Sequence, residues 1–401
     1  MTVPSDRPAL EVADILRAHG DEFRQRFATI LSHAQTKALR DLARCRTAAL
    51  GGHKERCLDC GHERMAYNSC RNRHCPKCQA LARAHWLNGQ VGHLLPVEYF
   101  HLVFTLPAEL SDLARANPAT LYGLLFQSAA GALRDVAANP KRLGAVPGVL
   151  LVLHTWGQTL THHPHVHGVV TGGGLSCDAT GKLEASPRWV PCRPGFFLPV
   201  RVLSRVFRGK YLDGLRRAHR RGELRFFGKL AAVASAAAFQ AFLRPVSRKD
   251  WVVYAKRPFG GPAQVLKYLA RYTHRVAISN HRLVKLEAGR VTFRYKDYAD
   301  SHQDKTMTLD AGEFLRRFVQ HVLPAGFTKI RHYGLLANRF RAERLAVARG
   351  LLWAKALEPL RAPSHAEAIV VEPAHPRGCE RCGSPRLECV ALPTQSRRDT
   401  S

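Results

Sequence analysis

The triplet His165-Val166-His167, inside HTWGQTLTHHPHVHGVVTGGG, is where residue type and spacing first offer chemistry in this chain. Positions i and i+2 of a β-strand point to one face. Two imidazoles can therefore reach one ion while Val166 packs on the opposite side. Neutral imidazole is among the commonest ligands of divalent metals. The residues that follow are β-branched and end in Gly172, Gly173 and Gly174, which predicts a strand that stops in a turn. Two surface histidines on a basic chain with 21 of them would read the same way, so the pair needs a reaction to serve.

KYLARYTHRVAIS supplies one. Tyr268 and Tyr272 stand four apart on an expected helix, which puts both phenols on one face. Two tyrosines alone would suit an amphipathic core, but Lys267, Arg271, His274 and Arg275 make this stretch polar for one. A phenolate is a nucleophile that can attack a phosphodiester. A divalent ion held by histidines would polarise that phosphate, and nearby Arg and Lys would offset the developing charge. The phosphotyrosine product conserves the bond energy, so cleavage and rejoining need no ATP. In keeping with this, the chain carries no P-loop motif.

A third constellation is made of cysteines. Cys57-x-x-Cys60 and Cys75-x-x-Cys78 are separated by 14 residues, 61–74. Each CxxC turn presents two thiolates, so the two together predict one tetrahedral zinc site. Cys45, His53, His62, Cys70 and His74 lie in the same stretch and leave a ligand swap or a second ion open. Arg71, Arg73 and Lys77, with Lys54, Arg56, Arg64 and Tyr67, suit phosphate contact and base stacking. A structural zinc knob with a solvated basic face is the plainer alternative. Cys379-x-x-Cys382-Gly in the C-terminal tail is half a knuckle, and with Cys389 it offers three sulfurs.

These groups need elements to position them. Apolar spacing predicts one or two amphipathic helices in 1–44, a metal-stapled module in 45–90 and a helix over 81–95. Strands are expected at 98–107, 148–157, 165–174 and 250–259, and a hairpin at 282–287 and 291–298. Helical stretches are expected at 110–136, 198–243 and 261–272, then to about 360, and the tail 351–401 is Pro-rich. Strands interspersed with helices and joined partly by hairpins give an α+β class. The apolar run from Leu230 to Leu243 is too short to span a bilayer and reads as a buried or half-buried helix.

With 61 Lys and Arg against 31 Asp and Glu, the net charge of +30 calls for a polyanionic partner, nucleic acid first. The basic residues are spread along the chain and not gathered on one amphipathic helix, which argues against a membrane surface. The N-terminus has no basic stretch followed by an apolar one, so no secretory signal is expected. In a cytoplasmic protein the 11 cysteines stay reduced and available to metal.

The HxH strand, the FTLP strand before it and the YxxxY helix after it, in that order, resemble the HUH single-strand endonucleases. With CRTAALGGH, NSCRNRHCPKCQ, YLARYTHRVAISNHRL and FLRRFVQHVLPAGFTKIRHYGLLANR added, the chain from about Cys45 to Arg339 resembles the two-tyrosine rolling-circle transposases of the insertion-sequence ninety-one group. The resemblance implies an HUH-type antiparallel-sheet nuclease domain with helices, over 95–350, after the zinc-ribbon-like module. It implies that His165 and His167 are paired ligands of a catalytic Mg²⁺ or Mn²⁺ and that Tyr268 and Tyr272 are the nucleophiles. HUH folds take a third ligand, often from the strand beside the HxH strand. His154 is favoured for it over Gln158, His162 and His163. Expected cofactors are structural Zn²⁺ and the catalytic ion. Expected partners are single-stranded and hairpin-forming DNA at element ends and target DNA, met by Arg71, Arg73, Lys77, Lys267, Arg271 and Arg275, in the cytoplasm on the nucleoid. A plasmid or phage replication initiator, and a non-catalytic zinc-ribbon DNA-binding protein, are the alternatives.

Overall fold

A computed structural model describes residues 8–256, 264–265, 268, 276–298, 300–355 and 378–394. The chain begins with α1 (Val12–Arg26) and α2 (His33–Ala43). Ser32 caps α2: its hydroxyl accepts from Gln35 N at 3.3 Å, and the Gln35 amide oxygen accepts from Ser32 N at 2.9 Å. A hairpin of β1 (Gly52–Cys57) and β2 (Glu63–Tyr67) leads to α3 (Cys78–Val91). The middle of the chain is β3 (Tyr99–Thr105), α4 (Ser111–Ala116), α5 (Pro118–Ala138), β4 (Ala145–Trp156), β5 (His162–Ser176), β6 (Trp189–Pro191), α6 (Val200–Arg220), α7 (Ala236–Arg248) and β7 (Val253–Lys256). The remainder is β8 (Leu283–Glu287), β9 (Arg290–Asp297), β10 (Gln303–Asp310), α8 (Ala311–Val319), β11 (Ile330–Gly334), α9 (Arg341–Lys355) and β12 (Leu387–Leu392). The class is α+β. No described helix is long and apolar enough to cross a membrane.

The central sheet runs β11-β4-β5-β3-β7, with β6 added on β5, and its pairs are antiparallel. Period-two alternation divides its strands between two environments. Phe100, Leu102 and Phe104 of β3, Val149, Leu151 and Leu153 of β4, and Val166 and Val170 of β5 join a core with α5, α6 and α7. The residues between them (Tyr99 on β3, Leu150 and Val152 on β4, Val169 on β5) belong to a second core that includes Leu335 and Leu345. Between these positions the helix-packed face is apolar. His162 at the start of β5 is a polar exception that meets Ser111 of α4 and Tyr122 of α5, while His101, His154, His165 and His167 fall on the other face.

This backing sets a stability expectation. Phe104 is fully buried and meets Phe207 edge to face, with ring centroids 5.2 Å apart. Phe104→Ala removes a large ring from a closed core and should cost about 3–5 kcal/mol. Urea or thermal denaturation would register it as a large drop in midpoint.

Two smaller sheets flank the central one. In β10-β9-β8, Val291 and Phe293 pack with Ile15 and Leu16 of α1 and Phe314 and Phe318 of α8. In β12-β1-β2, the C-terminal strand lies antiparallel on β1, from Gly52↔Leu392 to Cys57↔Leu387.

Several expectations change. β5 does not stop at Gly172–Gly174 but continues to Ser176. The glycines mark close approach: a Cβ on Gly173 would meet Val190 O at 2.6 Å, and one on Gly174 would meet Val146 O at 2.3 Å. The expected helical stretch 198–243 is broken, because α6 ends at Arg220 and α7 starts after Ser235, whose hydroxyl accepts from Ala238 N. The segment after 298 is not all helical: it holds β10 and β11. Of the expected helix 261–272, only 264, 265 and 268 lie among the described residues, and all three are helical.

Candidate active site and metal centres

On the polar side of the central sheet, register brings three histidines together. His154 of β4 stands directly opposite His165 of β5, and Val152 opposite His167. Cross-strand partners share a face and lie close, so His154 also reaches His167 diagonally, with ring centroids 4.6 Å apart. One ring nitrogen from each of His154, His165 and His167 lies within 4.8 Å of the others. Val166 points away into the helix-packed core, as the HVH spacing requires.

The surroundings orient these rings. His165 Nδ1 lies 2.7 Å from the His163 carbonyl, which as a donated N–H makes Nε2 the acceptor nitrogen. That Nε2 is 3.1 Å from His167 Nε2. Trp156 stacks on the buried His154 ring, with centroids 4.6 Å apart. Three inward-facing imidazole nitrogens, one of them set by a second hydrogen bond, are a donor set suited to a divalent ion with positions left for substrate oxygens.

Tyr268 comes to the same place from 101 residues further on. Its hydroxyl lies 3.2 Å from His167 Nδ1 and contacts His101 Nε2. His101, in β3, is itself 3.0 Å from His167 Nδ1. Burial, with Lys256 and His165 beside it, pushes the His101 imidazole down to about 4. Lys256 of β7 sits directly opposite His101 and is exposed. Neither His101 nor Lys256 follows from the motif spacing. The available signal was a lone histidine inside the otherwise apolar strand YFHLVF. Tyr272, Lys267, Arg271 and Arg275 lie outside the described residues.

The rivals for the third position are engaged elsewhere. His162 contacts Ser111 Oγ at 2.7 Å and Tyr122 OH at 2.8 Å, and burial holds it down to about 3. Gln158 donates to Tyr298 OH at 3.3 Å. His163 is exposed and contributes its carbonyl to His165.

The cysteines correct the expected grouping. Cys57, Cys60, Cys75 and Cys78 do not surround one point. Cys75 and Cys78 instead join Cys45 and Cys70, with each Sγ within 4.8 Å of the others. Cys45 follows α2 and Cys78 opens α3, so this tetrad staples the entry and exit of the module, and both Cys45 and Cys75 are buried in the α1–α2–α8 core. Cys57 and Cys60, on the far end of the β1–β2 hairpin, meet Cys379 and Cys382. His53 and His74 join neither tetrad. His53 is 3.1 Å from Glu55, and the half-buried His74, held down to about 3 by desolvation, accepts from Leu323 N at 3.4 Å.

Among the basic residues expected to face DNA, Arg71 is exposed. Arg73 instead donates to the carbonyls of Phe327 and Pro324, and Lys77 pairs with Glu11 at 2.5 Å. Those two bind the module to the rest of the protein.

Comparison with known proteins agrees with this architecture. The family model described as "Putative transposase" matches residues 148–344, which hold all three histidines of the triad. The model described as "Transposase zinc-binding domain" matches 15–106, which holds the first cysteine tetrad. "Putative transposase y4qJ" of Sinorhizobium fredii is 54% identical over 346 residues, 86% of this chain and 85% of the relative. "Transposase for insertion sequence element IS801" of Pseudomonas savastanoi pv. phaseolicola is 30% identical over 313 residues, 77% of this chain and 72% of the relative. No solved structure matches the chain. The chain belongs to the IS91-type transposases with an N-terminal zinc-binding domain.

Proposed function

We propose that this transposase nicks single-stranded DNA at the ends of its element and transfers the strand through a 5′-phosphotyrosine on Tyr268. The observation that carries the reading is the Tyr268 hydroxyl, 3.2 Å from His167 and so beside the His154–His165–His167 triad. Mg²⁺ or Mn²⁺ held by the triad would polarise the scissile phosphate and offset its charge. His101 orients the phenol, and Lys256 offers a positive charge at the rim of the same face. The Tyr268 oxygen forms a bond to phosphorus as the bond to the 3′ oxygen breaks. The phenol gives up its proton and the departing 3′ oxygen takes one up. Tyr272 serves as the second nucleophile, so that one tyrosine can hold a 5′ end while the other attacks. The partners in this reading are hairpin-forming single-stranded ends and target DNA, met in the cytoplasm on the nucleoid.

The test is to incubate the protein with a single strand from its element end and Mg²⁺, then to look for a denaturant-resistant protein–DNA adduct. Adduct with a free 3′-hydroxyl on the released strand is expected. Binding without any adduct would leave a non-catalytic DNA-binding protein.

The charge gives a separate expectation. Neutralising about six to ten phosphates should weaken binding by roughly 10³–10⁵ between 50 and 200 mM salt, through counterion release. A salt titration of binding to the same strand checks it. A flat profile would mean that the +30 charge serves another purpose.

A further inference from the structure

The tail knuckle that sequence left incomplete finds its other half at the opposite end of the chain. We propose that Cys57, Cys60, Cys379 and Cys382 bind a second zinc ion, which clasps the C-terminal segment onto the N-terminal module. The proposal concerns a site that is separate from the Cys45–Cys70–Cys75–Cys78 tetrad and independent of the nicking reading.

Geometry carries it. Cys57 Sγ lies 3.5 Å from Cys382 Sγ, and Cys60 Sγ lies 3.5 Å from Cys379 Sγ, with all four within 4.8 Å of one another. A tetrahedron with Zn–S bonds of about 2.3 Å has edges of roughly 3.8 Å, so the four sulfurs stand close to their liganding positions. Disulfides, by contrast, need sulfurs about 2 Å apart.

The two halves are also built alike. Both read Cys-x-x-Cys-Gly, and in both the glycine N–H returns to the first cysteine's carbonyl: Gly61 to Cys57 at 3.0 Å and Gly383 to Cys379 at 2.8 Å. Both glycines have left-handed φ, +70° and +76°, which a side chain would strain. The next turn repeats too: Cys57 N donates to His62 O at 2.9 Å, and Cys379 N donates to Ser384 O at 2.7 Å. Two copies of one thiolate-presenting turn, facing each other across a pair of hydrogen-bonded strands, make a zinc ribbon whose knuckles come from opposite ends of the sequence.

The protein around the sulfurs is shaped to bring the tail there. β12 covers the edge of β1 over the whole of that strand. Leu58 N donates to Arg386 O at 3.0 Å, Arg386 pairs with Asp59 at 2.8 Å, and Arg64 pairs with Glu380. These contacts are mostly exposed and individually weak, whereas a metal clip that closes a loop of several hundred residues removes much of the unfolded chain's freedom. An all-sulfur tetrahedral set suits zinc, with iron as the other metal that takes it.

The experiment counts metal in the full-length protein. Wild type should carry two zinc ions per chain, Cys379→Ser/Cys382→Ser one, and Cys389→Ser two, because Cys389 is exposed on β12 and outside both tetrads. One zinc ion in wild type with no loss in the double variant would overturn the proposal, as would iron at the site. A second measurement needs no variant. In the untreated protein, Cys389 should alkylate at once while Cys382, also exposed, resists until a chelator is added. Equal alkylation of Cys382 and Cys389 before chelation would overturn it as well. Failure of nicking would leave either metal result untouched.

Discussion

Tyr268→Phe is expected to bind an end-derived single strand as wild type does and to form no covalent adduct through that position. The substitution removes one oxygen and keeps the ring, which packs in a partly buried place against the second core of the central sheet. The lost hydrogen bonds to His101 and His167 cost only about 1 kcal/mol each in stability, so the fold should survive. The chemistry should not, because no other described tyrosine is placed against the triad. Loss of an enzyme nucleophile typically lowers turnover by about 10⁴–10⁶. Rates of strand nicking and adduct formation, read on one gel, decide it. Adduct at the wild-type rate would remove Tyr268 from the role of first nucleophile, and the Tyr268→Phe/Tyr272→Phe double variant would then report on Tyr272. With Tyr272→Phe alone, nicking should persist while transfer to a second strand fails.

What the sequence made legible follows from how local each signal is. The HVH pair could be read directly, because period two fixes both imidazoles on one face whatever the rest of the fold does. His154 needed one further step, the antiparallel pairing of two adjacent strands, and the observed register sets it opposite His165. His101 needed a third strand that pairs with β5 from 66 residues away, and nothing in the local spacing encodes that pairing. The cysteines show the same limit. CxxC spacing tells which two sulfurs belong to one knuckle but not which two knuckles share an ion. Proximity in sequence suggested Cys75 and Cys78 as partners of Cys57 and Cys60, while topology chose Cys379 and Cys382. The glycine shared by CLDCG and CERCG, and absent after CPKC, was the signal that could have paired them.

Basic residues were the least legible. Arg73 and Lys77 sit in a stretch that reads as DNA-facing, yet one donates to two backbone carbonyls and the other pairs with Glu11. Charge alone does not say which way a side chain turns. β10 was lost for a related reason: QDKTMTLD is polar enough to pass for a loop or a helix start. Its Lys305, Met307 and Leu309 nonetheless alternate half-buried against exposed neighbours, as a one-sided strand must.

The triad gives the second large effect. His165→Ala/His167→Ala should leave DNA binding near wild type, because binding by a chain this basic rests on phosphate contacts spread beyond one pocket. Nicking should fall by about a thousandfold or more. Metal polarisation of a phosphoryl oxygen is worth several kcal/mol of transition-state stabilisation, and each 1.4 kcal/mol is a factor of ten in rate. His154→Ala alone should give a smaller loss that added Mn²⁺ partly restores, since two imidazoles remain to hold the ion. The zinc content of all these variants should equal that of wild type, because the cysteine tetrads share no residue with the triad. That separation makes the result interpretable: lost nicking with unchanged zinc and unchanged binding locates the defect at the sheet face where His167 meets Tyr268. Undiminished nicking in His165→Ala/His167→Ala would mean that the phosphate is activated elsewhere, and that the closeness of Tyr268 to the histidines serves packing.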